Sequence, residues 1–564
     1  ANDISLTTTA GDIAVVTITA GTANDVTLTA AGAITEDGQP ATLVTADLLT
    51  ATASGPITLD TTITTADLAS TTAGAIDVDE TDAIGLQSVV TQDGTITVDA
   101  GGTLTAVNVD SSATDNDAND ISLTTTAGDI AVVTITAGTA NDVTLTAAGA
   151  ITEDGTAAIE VTADLLTATA DGGITLDTTI ATANLESTTA GAIDLDETDP
   201  ITLVSVITAD GPIDIAAGGT LTATLVDSSA TDSDTNDILL VTTAGDIQVL
   251  AINAGTVGDV TLTAAAAITD GDDTTTDITA DAVSLTAGTT VGAADNVLLL
   301  AARSLTTDTH ATGGSQHLSE IDSVDLARLD AASSLLSVYG GTWLLGTGDR
   351  IATGSTLDIQ TGATVDTNGA DGDTFSAITV SGGTLLGQGT VDANLAMTTG
   401  LATPGNSPGV IATNNLAFSG GPYRVELDGT TAGNAAGMHD QLNVTGGVDL
   451  GSNTLLDTSV GYLPDLNDRF VIVNNDGNDL VTGTFSGLPE GADFIASGIG
   501  LSISYLGSDG NDVELTAGDQ DTVYVDDDWA GIVRGTDPDG TGPALSFGFD
   551  SFATIQAGID AVAA

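Results

Sequence analysis

The sequence ANDISLTTTAGDIAVVTITAGTANDVTLTAAGAITEDG occupies residues 1–38 and recurs without change at residues 118–155. A third, diverged copy begins with TNDILLVTTAGDIQVLAINAGT at Thr235. The starts of the three copies are each 117 residues apart. Self-similarity at a fixed period is typical of repeat architectures, in which stacked units share one continuous core. The repeat therefore decides which fold is expected.

Each long copy also contains a shorter period. Asn2–Leu6 is echoed by Asn24–Leu28 and then by Ala46–Leu49, in steps of 22 residues. Within the echoes apolar and polar residues alternate, as in Ile4–Thr7, and this alternation of β-branched residues predicts half-buried strands. Turns that contain glycine, such as Ala10–Asp12, separate the strands.

These periods predict an all-β chain in which short coils stack into a repetitive parallel β-solenoid. A single pair of short strands cannot bury its own apolar face, whereas stacked coils place each Ile, Val or Leu on its equivalent in the next coil. About five coils would fit into each long copy, at ~4.8 Å per coil. The alternative is a string of tandem β-sandwich domains, because 117 residues also suffice for one sandwich.

The charge of the chain is extreme. It has 79 acidic residues against 6 basic ones, a formal net charge of −73, and neither Lys, Arg nor His before Arg303. Such a surface repels phosphate backbones and anionic headgroups, so we expect no nucleic-acid partner and no membrane insertion. It attracts cations, and carboxylates are the oxygen ligands that calcium prefers.

Acidic loops at the boundaries between copies are the predicted calcium sites. Alternating acidic side chains bring several oxygens together, as calcium with about six to eight ligands requires. A later loop, Gly507–Leu515, approaches the calcium-binding nonapeptide, although Ser508 and Glu514 depart from its pattern. The alternative is a solvated turn, since Asp and Asn favour bends. The predicted ligands are Asp115, Asp117, Asn119, Asp120, Asp232, Asp234, Asn236, Asp237, Asp509 and Asp512.

Beyond the repeats, the motifs TPGNSPG at Thr403–Gly409, DQLNV at Asp440–Val444 and FSGLPEG at Phe485–Gly491 occur in this order. They resemble bacterial autotransporter-associated β-strand repeats, over about a fifth of the chain. This resemblance implies a right-handed β-helix passenger that is displayed on, or released from, a bacterial surface. The upstream copies are more loosely similar to filamentous-haemagglutinin-type adhesin repeats.

Near the end of the sequence, Phe552–Asp560 has helical apolar spacing. It resembles the amphipathic N-terminal cap of pectate-lyase-like β-helices, which implies that another β-helix follows and that the chain is an exported piece of a longer polypeptide. The predicted organisation is solenoid repeats at 1–117 and 118–234, a diverged repeat at 235–321, autotransporter-type repeats at 322–400, a passenger-like β-helix module at 401–516, and an acidic linker with the cap at 517–564.

We expect no enzymatic activity. A lyase needs a base and cations that steady a carbanion, and the duplicated region has no basic side chain. A hydrolase needs two facing carboxylates, but adjacent residues such as Asp79 and Glu80 point to opposite faces of a strand. No aromatic residue precedes Tyr339 to stack on a sugar.

The sequence therefore predicts an extracellular structural protein, a stiff acidic rod or fibre of the bacterial surface or biofilm matrix. Calcium would stabilise it, and its partners would be other copies, joined end to end or laterally, together with surface glycans or matrix proteins. One alternative is an adhesin whose receptor site lies after residue 303. Another is a polysaccharide-processing β-helix enzyme.

Overall fold

The chain divides into two compact units, Ala1–Ala287 and Gly288–Ala564, and each is described separately. The division falls inside the segment predicted as the diverged third repeat, 235–321. The computed structural model describes residues 2–36, 44–153, 155, 158–271, 275–309, 314–321, 323–330, 335–345, 350–351, 356–361, 363–367, 377–405, 408–477, 479–518, 522–534, 536–540, 542, 544, 547–548 and 550–562.

Every described strand of the first unit begins with Ile, Val or Leu, a β-branched or bulky apolar residue that suits a buried pleated surface. The strands are Ile4–Thr7, Ile13–Val15, Ile18–Thr19, Val26–Ala30, Ile34–Glu36, Val44–Ala53, Ile57–Ser70, Ile76–Glu80, Ile84–Thr91, Ile96–Ala100, Leu104–Ala106, Val109–Asp110, Ile121–Thr125, Ile130–Val132, Ile135–Thr136, Val143–Ala147, Ile151–Thr152, Val161–Ala170, Ile174–Ser187, Ile193–Glu197, Ile201–Thr208, Ile213–Ala217, Leu221–Ala223, Val226–Asp227, Ile238–Thr242, Ile247–Val249, Ile252–Asn253, Val260–Ala264, Ile268–Asp270 and Ile278–Ala287.

Parallel pairing connects these strands into two columns that run along the first unit. Column A begins at Ile4 and passes through Val26 and then Leu49. Column B begins at Ile13 and passes through Ile34 and then Ile57. The apolar residues point inward, so that identical or similar side chains stack from one coil to the next. The prediction of a parallel β-solenoid is confirmed, and the alternative of tandem β-sandwiches is wrong.

The long repeat does not contain a whole number of coils. Ile4 lies in column A, its copy Ile121 lies in column B, paired with Ile96, and Ile238 lies in column A again. Column A passes from coil to coil eleven times between Ile4 and Ile238. Two copies of the long repeat thus span eleven coils. One copy therefore contains five and a half coils, where about five were predicted. Equivalent residues of successive copies therefore alternate between the two columns.

The second unit also stacks parallel coils, and its strands form three columns of its own. Its core is aromatic and includes the fully buried Trp343, Tyr423 and Phe470. Its strands are Leu298–Asp308, Gln316–Glu320, Ser323–Asp330, Leu335–Tyr339, Thr342–Leu345, Arg350–Ile351, Thr356–Ile359, Thr364–Thr367, Ala377–Val380, Thr384–Gly387, Thr390–Asp392, Asn394–Met397, Leu401–Pro404, Val410–Thr413, Leu416–Phe418, Pro422–Leu427, Gln441–Val444, Val448–Asp449, Leu455–Val460, Arg469–Asn475, Asp493–Ala496, Ile499–Gly507, Asp512–Ala517, Tyr524–Val525 and Ser551–Phe552.

The parallel stack of the second unit ends in an antiparallel closure. Arg469–Asn475 pairs in antiparallel fashion with Asp512–Ala517, which also pairs with Ile499–Gly507. A short 3-10 helix, Asp527–Trp529, follows, and the helix predicted near the end of the sequence is present as Ile555–Val562. Neither helix, nor any other helix in the described part of the chain, has the length and apolar character needed to cross a membrane.

Candidate functional site

The two acidic boundary loops lie on opposite connections of the coil. The first leads from Val109–Asp110 in column A to Ile121–Thr125 in column B, and the second leads from Val226–Asp227 in column B to Ile238–Thr242 in column A. This difference follows from the half-coil phase of the repeat. The two loops are thus chemically equivalent but face different sides of the first unit.

Asp115 fastens the first boundary loop to the next coil. One carboxylate oxygen accepts hydrogen bonds from the backbone N–H of Thr139 at 2.9 Å and of Ala140 at 3.1 Å, and the other accepts one from the Thr139 hydroxyl at 2.9 Å. The hydroxyl of Thr139 is the main cause that lowers the pKa of Asp115. Since both oxygens already have donors, the carboxylate acts as an acceptor for the next coil.

Asp232 makes the same contacts in the second loop. Its oxygens accept from the backbone N–H of Thr256 at 2.6 Å, from the Thr256 hydroxyl at 2.7 Å and from the backbone N–H of Val257 at 3.2 Å. Asp115 and Asp232 both have left-handed backbone conformations, with φ of 43° and 44°. Aspartate tolerates this conformation better than most residues, so the shape of the loop and the identity of the acceptor depend on one residue.

The other predicted ligands separate into buried amides, strand-start acceptors and exposed acids. Asn119 and Asn236 are buried, and each donates from its side-chain amide to a threonine hydroxyl at 2.9 Å. Asp120 accepts from the backbone N–H of Asp142 at 3.0 Å, and Asp237 makes the equivalent contact at 2.9 Å. All of the boundary aspartates are exposed, including the two that remain, Asp117 and Asp234.

The boundary acids are therefore close in sequence, but the structure does not gather them around one point. The described residues contain two groups of three carboxylates whose ligand atoms lie within 4.8 Å of one another, and neither group includes a predicted boundary ligand. One of them, Asp526–Asp528, is exposed, and Asp526 accepts from the backbone N–H of Asp528 at 3.0 Å to cap the 3-10 helix. The calcium assignment at the boundaries stays a prediction.

Stability measurements can separate the contacts of Asp115 and Asp232 from calcium binding. We expect Asp115→Ala and Asp232→Ala each to lower the melting temperature slightly with a chelator present, because the N–H groups of the next coil lose their acceptor. The exposed Asp117→Ala serves as the matched control and should leave the melting temperature unchanged. If the substitutions change the melting temperature only when calcium is present, the two aspartates act as metal ligands and not as hydrogen-bond acceptors for the next coil.

Aspartate residues just before strands repeat this role along the first unit. The side chain of each accepts a hydrogen bond from a backbone N–H in the following coil, where a strand approaches its first residue. This use of acidic residues was not predicted from the sequence, although each such Asp precedes an Ile. The contacts join Asp3 to Asp25, Asp12 to Ala33, Asp129 to Ala150 and Asp246 to Ala267, at distances from 2.8 to 3.2 Å.

The loop that contains Asp509 and Asp512 packs against the neighbouring loop at Asn475–Gly477. Asp512 is buried and accepts from the backbone N–H of Asn475 at 2.8 Å, whereas Asp509 is exposed. Burial raises the pKa of Asp512. Asn511 donates to the carbonyl oxygen of Gly477 at 2.8 Å. Asp512 thus joins the two loops, and its assignment as a calcium ligand stays a prediction.

Outward carboxylates form two acidic ladders on the first unit. The column B ladder consists of Asp60, Asp79 and Asp99, which pair in register across three successive coils. The column A ladder contains Asp194 and Asp214, which pair in the same way. Neighbouring rungs lie about 4.8 Å apart along the stack. Partial desolvation of its carboxylate raises the pKa of Asp79, and the charges of neighbouring aspartates, including Asp60 and Asp99, raise it further.

Asp79 and Glu80 point to opposite faces, as the alternation along a strand predicts. Asp79 is exposed, whereas Glu80 is 4% exposed at a corner of the coil. The carboxylate of Glu80 accepts from the Thr61 hydroxyl at 2.7 Å and from the backbone N–H groups of Ile63 at 2.9 Å and Asp82 at 3.0 Å. Glu80 is thus an internal acceptor.

Comparison with models of protein families, with curated proteins and with solved structures finds no match for this chain. The assignment of a function therefore depends on the architecture and on the distribution of charge.

Proposed function

We propose that the chain is an extracellular structural protein, a stiff acidic rod of the bacterial surface or biofilm matrix. The supporting observation is the continuous parallel pairing of column A, which is maintained past a β-bulge at Ala66–Asp67 and continues from Ile238 through Val260 to Val283. With two further pairings after the eleven that precede Ile238, the column spans thirteen steps, or about 60 Å at ~4.8 Å per step. Because each coil contacts only its neighbours, every interface between two coils contributes separately to the resistance of the stack to unfolding.

Calcium is proposed to join copies of the rod laterally. The acidic ladders occupy outward positions of both columns, and the first 302 residues contain no basic side chain to neutralise them. Divalent cations that lie between ladders of two copies would offset the repulsion of two surfaces of the same sign. The location at a bacterial surface rests on the resemblance of the later motifs to autotransporter repeats.

Electron microscopy of the purified chain tests this proposal. We expect bundles or filaments in millimolar calcium, and dispersed rods after chelation. A variant in which the ladder residues Asp60, Asp79, Asp99, Asp194 and Asp214 are changed to Asn should associate without calcium, because the repulsion is reduced, and should respond weakly when calcium is added. Isolated rods of the natural sequence in both conditions would contradict the calcium-dependent association.

An adhesin is the second candidate, and one observation favours it. The second unit contains every aromatic and every basic residue of the chain. Aromatic residues and Arg are enriched at the centres of protein interfaces. Arg424 and the exposed Leu455 lie on adjacent strands there, so Leu455→Ser should abolish adhesion of cells or beads if this face binds a receptor, and should leave the rods seen by microscopy intact.

A further inference from the structure

A second carboxylate cluster lies in the first unit, away from the boundary loops. Glu153 follows the strand Ile151–Thr152, Glu160 precedes the strand Val161–Ala170, and Asp177 lies in the next coil. One ligand atom from each of the three side chains lies within 4.8 Å of the other two. No sequence pattern marks this cluster as a unit, because Glu160 lies seven positions after Glu153 and Asp177 lies 17 positions further on.

Glu160 is held rigidly at the centre of the cluster. Its backbone N–H donates to the carbonyl oxygen of Asp177 at 2.8 Å, and its own carbonyl oxygen accepts from Ile135 at 2.6 Å. One side-chain oxygen, Oε2, accepts from the backbone N–H of Asp177 at 2.7 Å. The coils on both sides therefore fix the backbone of Glu160, and the Asp177 N–H orients its side chain.

The second oxygen of Glu160 has no hydrogen-bond partner. The residue is 1% exposed, and Oε1 is buried without a donor. A buried carboxylate oxygen without a partner is costly unless a proton or a cation compensates for it. Burial raises the pKa of Glu160 to about 7, and the charges of Asp177 and Glu153 contribute to the increase. The cluster thus concentrates negative charge where the protein supplies no counter-charge.

The internal copies do not share an acid at this position. The position of Glu160 is occupied by Leu43 in the first copy and by Asp277 in the third copy, and the four preceding residues of the first two copies share only one alanine. Asp277 is fully buried, and its carbonyl oxygen accepts from Ile252 at 2.7 Å, as that of Glu160 does from Ile135. Two of the three copies therefore place a carboxylate at a position where leucine is also accepted.

We propose that Glu153, Glu160 and Asp177 bind a calcium ion. Ligand oxygens lie about 2.3–2.6 Å from calcium, so two of them can be at most about 5 Å apart, and the three side chains satisfy this limit. No Lys, Arg or His occurs before Arg303, so the first unit has no basic side chain that could neutralise the cluster. Calcium fits because it accepts irregular sets of hard oxygen ligands, whereas magnesium demands near-ideal octahedral geometry.

Calorimetric titration of the full chain with calcium tests the site, and the probe is calcium chloride alone. The buffer contains magnesium and about 0.15 M salt, which screen the exposed acids. We expect a saturable class of sites with a Kd on the order of 10⁻⁴ M or tighter. Glu160→Leu and Glu160→Gln should lose this class, with affinity reduced at least about ten-fold, while the exposed Asp82→Asn, which removes the same charge elsewhere, should retain it.

Thermal unfolding gives a second measurement, because calcium should reverse which protein, the natural chain or Glu160→Leu, has the higher melting temperature. Glu160→Leu should fold, since leucine stands at this position in the first copy. With a chelator, this variant should melt at the same temperature as the natural chain or higher, because a buried carboxylate without a full set of partners is removed. In calcium the natural chain should melt higher. A Glu160→Leu variant that binds calcium and responds to it like the natural chain would overturn the site.

This site is independent of the proposed rod function. Loss of the saturable class in Glu160→Leu, with filaments that still form in calcium, would support the site and separate it from association. Filament failure in the natural chain, with the saturable class present, would contradict the association alone.

Discussion

Acidification from pH 8 to about pH 5 is expected to stabilise this protein, whereas acid destabilises most proteins. In the first unit the outward Asp77 and Asp79 have pKa values raised by burial and then by neighbouring aspartates. In the second unit, burial raises the pKa of Asp440 to about 7, although backbone N–H groups of Glu426 and Gly409 donate to it.

The sign follows from proton binding. Between the unfolded pKa of Asp, about 3.9, and the raised folded value, the folded chain binds more protons than the unfolded one. The free energy of unfolding therefore increases as the pH falls through this window, and the gain is complete below the unfolded pKa. For the fully buried Asp440, a folded pKa of about 7 corresponds to a gain on the order of 4 kcal/mol.

The two units can be followed separately during this experiment. No aromatic residue precedes Tyr339, so tryptophan fluorescence reports only on the second unit, where Trp343 is buried. Circular dichroism reports on both units. The scans should include a chelator, so that metal binding does not contribute.

Salt and one substitution supply the controls for the pH measurement. About 1 M salt shortens the screening length to ~3 Å, which should reduce the part of the pH dependence that comes from neighbouring aspartates in the ladders but should not change that of buried Asp440. In the second unit burial lowers the pKa of His317 and His439, so these side chains oppose the gain from Asp440 as the pH falls. Asp440→Asn should therefore abolish the acid stabilisation of the fluorescence transition and leave a slight loss of stability on acidification. A melting temperature of the natural chain that falls steadily from pH 8 to pH 5 would contradict the raised pKa values.

The sequence predicted that the coils stack, but not which column each copy of a residue would occupy. The 22-residue echo from Asn2 to Asn24 marks residues that pair in adjacent coils, and Ile4 does pair with Val26. The echo does not tell in which column Ile121 lies, because each copy contains segments that fit both columns. Only the register shows that the copies differ by half a coil, and hence that the boundary loops lie on opposite connections.

The acidic residues at the boundaries were correctly predicted to lie in loops, but their role as calcium ligands stays a prediction. Asp115 and Asp120 looked like converging calcium ligands, yet backbone N–H groups of the next coil donate to their oxygens. Parallel coils supply such donors at every turn, which the sequence of a single loop does not reveal. A signal for Glu160 was present, because the first two copies agree directly after this position, at 44–50 and 161–167, and glutamate stands where the first copy has Leu43.

Glu197→Ala is expected to be among the most destabilising single substitutions in the first unit. Glu197 is 4% exposed, and it accepts from the Thr178 hydroxyl at 2.8 Å and from the backbone N–H groups of Ile180 and Asp199 at 2.9 Å. Truncation leaves these donors unsatisfied and opens a cavity at the corner of the coil. We expect a loss of about 3–5 kcal/mol in the free energy of unfolding.

The neighbouring Asp196 provides a matched control, since it has the same charge, lies one position away and points outward. Asp196→Ala should change the stability by less than about 0.5 kcal/mol, or increase it, because the substitution removes a charge from an acidic surface. Glu80 occupies the equivalent corner in the first copy, with the same three kinds of donor. The losses from Glu80→Ala and Glu197→Ala should therefore add, because several coils separate the two corners. Equal effects of Asp196→Ala and Glu197→Ala would show that charge, and not the buried acceptor, determines the stability of the corner.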